Sequence, residues 1–416
     1  MPTTVLALST TAPAQPRRVH RRVAVVVACA FGVTCLVGVG SLLRPAAQPA
    51  AESATGVGSG VGRTTLGGLT AYVESVPDDW GAWSTLGLLQ LERGRSTGSP
   101  EWYGRAEQSF GRSLQLHGEG NPPALAGLAA VAAVRHDFSQ AEAEARKALS
   151  INPLDANAQA ILVDALSELG RYDEALAAAQ RLDETHPGLS AFARLAYQEE
   201  LRGHVPQALS LLSLAADDAS SPSQVAFARY HEGVLALQSG DVARAQQSLR
   251  QGLGVAPEDL TLLHLSARIA VSLGDDAAAA DDYRRLVQRR PIASYAVEAA
   301  DVLARMGDSP AAADLVSLAQ AQLAVNRANG VNPEPSDVVL EATYGNPADA
   351  LALAESLWAR QKGVYAADAY AVALHAVGRD REALVFSDRA LALGTSTPSL
   401  REHRAAIVAS LRGGQR

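Results

Sequence analysis

The sequence predicts an all-α fold, a superhelical rod or α-solenoid of about nine helix-turn-helix units. Three observations predict it. Ala141 and Ala175 stand 34 residues apart, and so do Pro153 and Pro187. Small alanines recur at Ala208, Ala245, Ala279, Ala312, Ala350 and Ala383, in steps of 33, 37, 34, 33, 38 and 33 residues. From Ala175 onward a glycine lies five residues before each: Gly170, Gly203, Gly240, Gly274, Gly307, Gly345 and Gly378. Each mark has a cause. Glycine lacks the Cβ that would oppose the left-handed backbone ending a helix. Alanine lets two helices approach closely, and proline, having no backbone donor, stops the second helix.

Taken in order, residues 1–22 form a basic tail with Arg17, Arg18, Arg21 and Arg22. Residues 23–43 are uncharged, and as a helix they would span about 31 Å, close to the roughly 30 Å bilayer core. The four arginines before this run outweigh Arg44 after it, which places the amino terminus in the cytoplasm and the rest outside. One transmembrane signal anchor is the expectation, with a cleaved signal peptide as the alternative. The only cysteines, Cys29 and Cys35, lie in this run, so no disulfide is expected beyond it. Residues 44–66 are rich in Pro, Ala, Ser and Gly and read as a flexible linker.

Residues 67–328 form the first part of the array, 329–337 a break, and 338–412 a second part ending in a capping helix. In the third unit Ile161, Leu162, Leu166 and Leu169 share one helical face, answered by Leu176, Ala179 and Leu182. GRSTGSPE in the first unit is expected to lengthen the turn as a loop. His136 stands where other units have glycine, and the second helix over 310–328 is expected to be long. Residues 399–412 have one charged and one apolar face, as a terminal cap requires.

Together, period, glycine, small residue and closing proline resemble the tetratricopeptide repeat. Trp83, Leu86 and Gly87 stand in the family's W-x-x-L-G pattern, and Ala106 and Phe110 in its A-x-x-x-F. The resemblance extends over roughly residues 80 to 396 and points to a membrane-anchored bacterial member. It implies a fold, the tetratricopeptide superhelix preceded by the transmembrane helix, and a protein or peptide partner lying in a concave groove lined by first helices. By repeat position the implied groove residues are Tyr197, Glu200, Phe227, Tyr230, His264, Arg268, Asp301, Arg305, Tyr365, Asp368 and His375. Tyr197, Phe227 and Tyr230 serve either as partner anchors or as packing between units. The family's carboxylate clamp for chaperone tails is absent: its positions hold Ser84, Leu88, Ala126, Ala130, Ala160 and Asp164.

Nothing points to catalysis. No nucleophile elbow, HExxH, P-loop or kinase signature occurs, so the protein is not expected to be an enzyme. His231-Glu232 lacks a zincin's second histidine and reads as a pair on a helix surface. No metal and no cofactor are expected. Net charge is -8, and without the arginine-rich first 44 residues it is about -13, which disfavours nucleic acid. The expectation is a single-pass protein of the cell membrane whose extracytoplasmic array is a scaffold. Alternatives are an assembly or recruitment subunit of an envelope transport, secretion or cell-wall complex, and a regulatory subunit of an enzyme. Replacing Ala175 with leucine should overpack a helix crossing and lower the unfolding free energy by about 1–3 kcal/mol, read by chemical denaturation.

Overall fold

The computed structural model describes residues 65–395 and 397–413. The segments expected to form the basic tail, the transmembrane helix and nearly all of the linker lie outside the described residues. Among the described residues the chain forms twenty α-helices and no strand, and no helix is long and apolar enough to cross a membrane. A leading helix, α1 (Leu66–Ser75), precedes nine pairs. The pairs are α2 (Trp80–Thr97) with α3 (Glu101–Leu116), α4 (Pro122–Val134) with α5 (Phe138–Ile151), and α6 (Ala156–Glu168) with α7 (Tyr172–Thr185). Next come α8 (Leu189–Leu201) with α9 (Val205–Asp217), α10 (Pro222–Gln238) with α11 (Val242–Val255), and α12 (Leu260–Leu273) with α13 (Asp276–Arg289). Last are α14 (Ala293–Arg305) with α15 (Ser309–Ala328), α16 (Pro335–Tyr344) with α17 (Pro347–Arg360), and α18 (Val364–Ala376) with α19 (Asp380–Leu391). A single helix, α20 (Pro398–Gly413), follows.

The punctuation works as its chemistry requires. Gly170, Gly203, Gly240, Gly274, Gly307 and Gly378 all have φ between 74° and 87°, ending first helices in left-handed turns. His136 takes the same turn at φ 57°, a strained geometry for a residue with a Cβ. Ala106, Ala141, Ala175, Ala208, Ala245, Ala279, Ala350 and Ala383 are wholly buried where paired helices cross.

Two local expectations are corrected. GRSTGSPE adds no projecting loop; its first half extends α2, which runs to Thr97, and its last residue begins α3. A Cβ at Gly94 would lie 2.6 Å from the Tyr103 ring, so its absence lets α3 pack tightly while α2 continues. His231-Glu232 is no surface pair, because both side chains are buried within α10. Glu232 stays there because it accepts from Arg229, Arg244 and Ser248.

The solenoid curls through a full turn, and its second turn sits on its first. The carbonyl of Glu168, at the end of α6, accepts from the backbone N–H groups of Lys362 and Gly363 at 2.9 and 3.1 Å, just before α18. The Arg135 carbonyl after α4 accepts from the Asn332 N–H at 3.0 Å, ahead of α16. The Arg290 guanidinium donates to the Arg95 carbonyl near the end of α2. A Cβ built on Gly203 would lie 2.4 Å from the Gly394 carbonyl, ahead of α20. The end of each first helix in units one to four thus meets the start of the first helix six units later.

This seam meets the needs of helix ends, which carry unpaired carbonyls at one terminus and unpaired N–H groups at the other. In the first turn, Asp79, Asn121, Asp155, Ser221 and Asp259 cap their own helices through their side chains. In the second turn, α14 and α18 start at Ile292 and Gly363 with no capping side chain. For α18 the acceptors come from the turn beneath: the Glu168 carbonyl, and the Tyr172 hydroxyl, which accepts from the Val364 N–H at 2.7 Å.

Gly203 and Gly274 share nearly the same φ, 76° and 77°, but a Cβ on Gly274 meets nothing within 4 Å. Gly274→Ala should therefore cost only left-handed strain, about 1–2 kcal/mol. Gly203→Ala should cost more and should speed hydrogen exchange in α20, since it also pushes on the Gly394 carbonyl. Denaturation with exchange mass spectrometry checks both.

Candidate protein-interaction surface

The eleven residues expected to line a groove fall into three settings. Phe227, Tyr230 and His264 are buried between neighbouring first helices, on the packing side of the choice left open above. The Tyr230 hydroxyl and His264 Nδ1 lie 3.0 Å apart, and His264 Nε2 lies 2.8 Å from Glu298. Tyr283 also donates to Glu298, at 2.6 Å. Burial pushes the Glu298 carboxyl up, but His264, Arg268 and the Tyr283 hydroxyl hold it down at about 2. This polar network ties together α10, α12, α13 and α14.

Tyr197, Glu200 and Tyr365 are buried at the seam, the two tyrosines in one apolar cluster that is drawn from α8 to α12 and α18 to α20 and also holds Phe227 and Tyr230. Sequence reasoning placed Tyr197 and Tyr365 in one groove; the structure brings them together across two turns of the spiral. Glu168 joins them. Burial pushes Glu168 up to about 8, aided by the nearby Asp164 and Glu334 carboxylates. Burial alone pushes Glu200 up to about 8, and neither of its carboxyl oxygens has a hydrogen-bond partner. Both side chains sit at the negative ends of their helices, which further disfavours ionisation. Burial, with Glu168 and Tyr365 nearby, also raises the Tyr197 phenol well above its usual range.

The remaining five residues differ in burial. Arg305 is exposed and pairs with Asp276 at 2.6 Å; Arg268 and Asp301 are half-buried, and Asp301 accepts from the Tyr344 hydroxyl. Asp368 is buried against His403, and His375 contacts Asp380. Burial pulls the His403 imidazole down, but Asp368 raises it overall. The seam was not foreseen, although the missing caps at Ile292 and Gly363 could have signalled it. The break over 329–337 takes part in the seam: Asn332 and His136 contact each other there at 3.1 Å. Among the described residues no group of three His, Cys, Asp or Glu side chains stands where it could hold a metal ion.

Residues 135–198 and 230–296 match models of the tetratricopeptide repeat. The solenoid is therefore a tetratricopeptide-repeat scaffold over these segments, a protein-interaction fold. No match to a curated protein reaches significance. Among solved structures, the Cut9–Hcn1 hetero-tetramer of APC/C aligns at 13% identity over 81% of this chain, with TM-score 0.45. The chain spans 58% of the length of that relative. Yeast Tom70 aligns at 14% identity over 85% of this chain and 86% of its own, with TM-score 0.45. Pseudomonas aeruginosa pilF aligns at 20% identity over 52% and 94%, with TM-score 0.38.

The seam carboxyls give stability a pH dependence with a definite sign. Above about 4.5 the unfolded chain loses the Glu168 and Glu200 protons, whereas the folded chain keeps them until about 8. The native state binds more protons in that window, so stability should fall as pH rises from about 4.5 to about 8. Denaturant titrations across the window should show that fall, and Glu200→Gln should flatten it.

Proposed function

We propose that this protein is a membrane-tethered, extracytoplasmic scaffold that holds a protein or peptide partner, and that its role is binding rather than catalysis. The carrying observation is the tetratricopeptide array with an inner surface closed in one part and open in another. The inner faces around Tyr197, Phe227, Tyr230 and Tyr365 are filled by the chain's own packing. Solvent still reaches Arg268, Asp301 and Arg305 on α12 and α14, so the partner engages there. A surface of paired arginines and acids favours a partner with both charges, recognised through hydrogen bonds more than apolar burial.

The tether rests on the sequence. A 21-residue uncharged run behind four arginines has the length and flanking charge of a signal anchor. It supports a cell-membrane location with the array outside.

Two measurements test this reading. A photo-crosslinker replacing Arg305 in the full-length chain should capture a defined protein in native membranes. The same group replacing Arg285, exposed on α13, should not. Equal capture from both positions would count against an inner-face site. A cysteine at the exposed Leu154, with Cys29 and Cys35 changed to serine, should react with a membrane-impermeant maleimide in intact cells. Labelling only after permeabilisation would place the array in the cytoplasm.

A further inference from the structure

Each end of the described spiral is half a unit. α20 occupies the first-helix position of a tenth unit, and no second helix follows it among the described residues. α1 occupies the second-helix position of a unit before the first, and it packs on α2 through Leu69 and Val73. The difference shows in burial. α18 buries nine residues around its circumference, whereas α20 buries only Ser399, Leu400 and Ile407.

Beside that buried stripe lies a groove of about 560 Å3, floored by Leu391, Ala405 and Val408 and rimmed by Arg401, Arg404 and Arg412. Arg404 pairs with Asp388, while Arg401 and Arg412 form no ion pair among the described residues. The outward stripe of α1 complements it: Gly67, Thr70 and Ala71 are small and exposed, and Glu74 adds a carboxylate, with Asp78 just beyond.

We propose that this groove receives α1 of a second copy of the chain, so that copies join head to tail and each junction completes a unit. The apolar floor takes the small face of α1, and Arg401 and Arg412 take Glu74 and Asp78. A symmetric pairing of two α20 faces would instead set arginines against arginines. Continuing the seam's six-unit register carries residues 152–155 of the second copy over the turn at Gly307 of the first. There Leu154, 58% exposed, and Met306, 50% exposed, would cover one another. The contact is heterologous and does not close on itself, so it builds a row rather than a dimer.

The test uses the full-length chain with Cys29 and Cys35 replaced by serine, in native membranes. Under mild oxidation, Leu154→Cys with Met306→Cys should give a ladder of dimers, trimers and longer species, and neither single cysteine should. Arg401→Glu with Arg412→Glu, both exposed and without structural partners, should weaken the ladder about tenfold or more while helicity is kept. Adding Glu74→Arg and Asp78→Arg should restore it. Monomer alone, a product that stops at dimer, or a ladder indifferent to the charge reversal would each overturn the proposal. Capture of a different protein by a crosslinker at Ala405, with no ladder, would overturn it too.

Discussion

The carbonyl of Glu168 accepting from the N–H groups of Lys362 and Gly363 is a small contact on which much depends. It joins the negative end of α6 to the positive end of α18, pairing groups that each helix leaves unsatisfied. With a second backbone bond from Asn332 to the Arg135 carbonyl, the Arg290 guanidinium on the Arg95 carbonyl and the close approach of Gly203 to Gly394, it turns a rod held by nearest-neighbour contacts into a spiral whose second turn is braced on its first. An open solenoid frays from its ends, because each unit touches only the next. Here α18 and α20 are anchored to units far behind them, and the free edges are those of the turns at Gly240, Gly274, Gly307 and Gly378, where added Cβ atoms meet nothing within 4 Å.

That division explains what was legible in the sequence. The helix pairs were readable because their causes are local: a glycine at positive φ, a small residue at the crossing, apolar spacing near 3.6. The seam was not, because Gly203 and Gly274 have the same backbone and differ only in what stands opposite, about 190 residues away for Gly203. No periodicity reports that distance. The indirect trace was a loss: where most first-turn helices begin with Asp, Asn or Ser, α14 and α18 begin after Ile292 and Gly363. For α18 the seam supplies the acceptors that a capping residue would otherwise provide.

The groove residues were legible in position but not in setting. Counting back from the turn glycine correctly puts Tyr197, Tyr230 and Tyr365 on first helices, yet that counting assumes an open inner face. Once the spiral closes, position along the array decides the outcome: Tyr197 and Tyr365 meet at the seam, and Arg305 stays wet. Glu168 and Glu200 show the same dependence. As surface residues near helix ends they would be ordinary carboxylates; enclosed by the second turn, both are pushed to about 8.

Closure also constrains unit length. The seam contacts join residues separated by 195, 196 and 197 positions at α14 and α16, and by 192 where Tyr172 meets Val364. The separations agree within a few residues even though individual steps vary between 33 and 38. An open array accommodates an extra turn of helix in any unit, since its neighbours follow along. In this spiral an insertion between α2 and α20 displaces every later helix relative to the end on which it rests. The irregular stretch of the chain, the 20-residue α15 and the turn after it, is compatible with that rule because Asn332 still reaches the Arg135 carbonyl. The irregularity is thus part of what brings the second turn into register with the first.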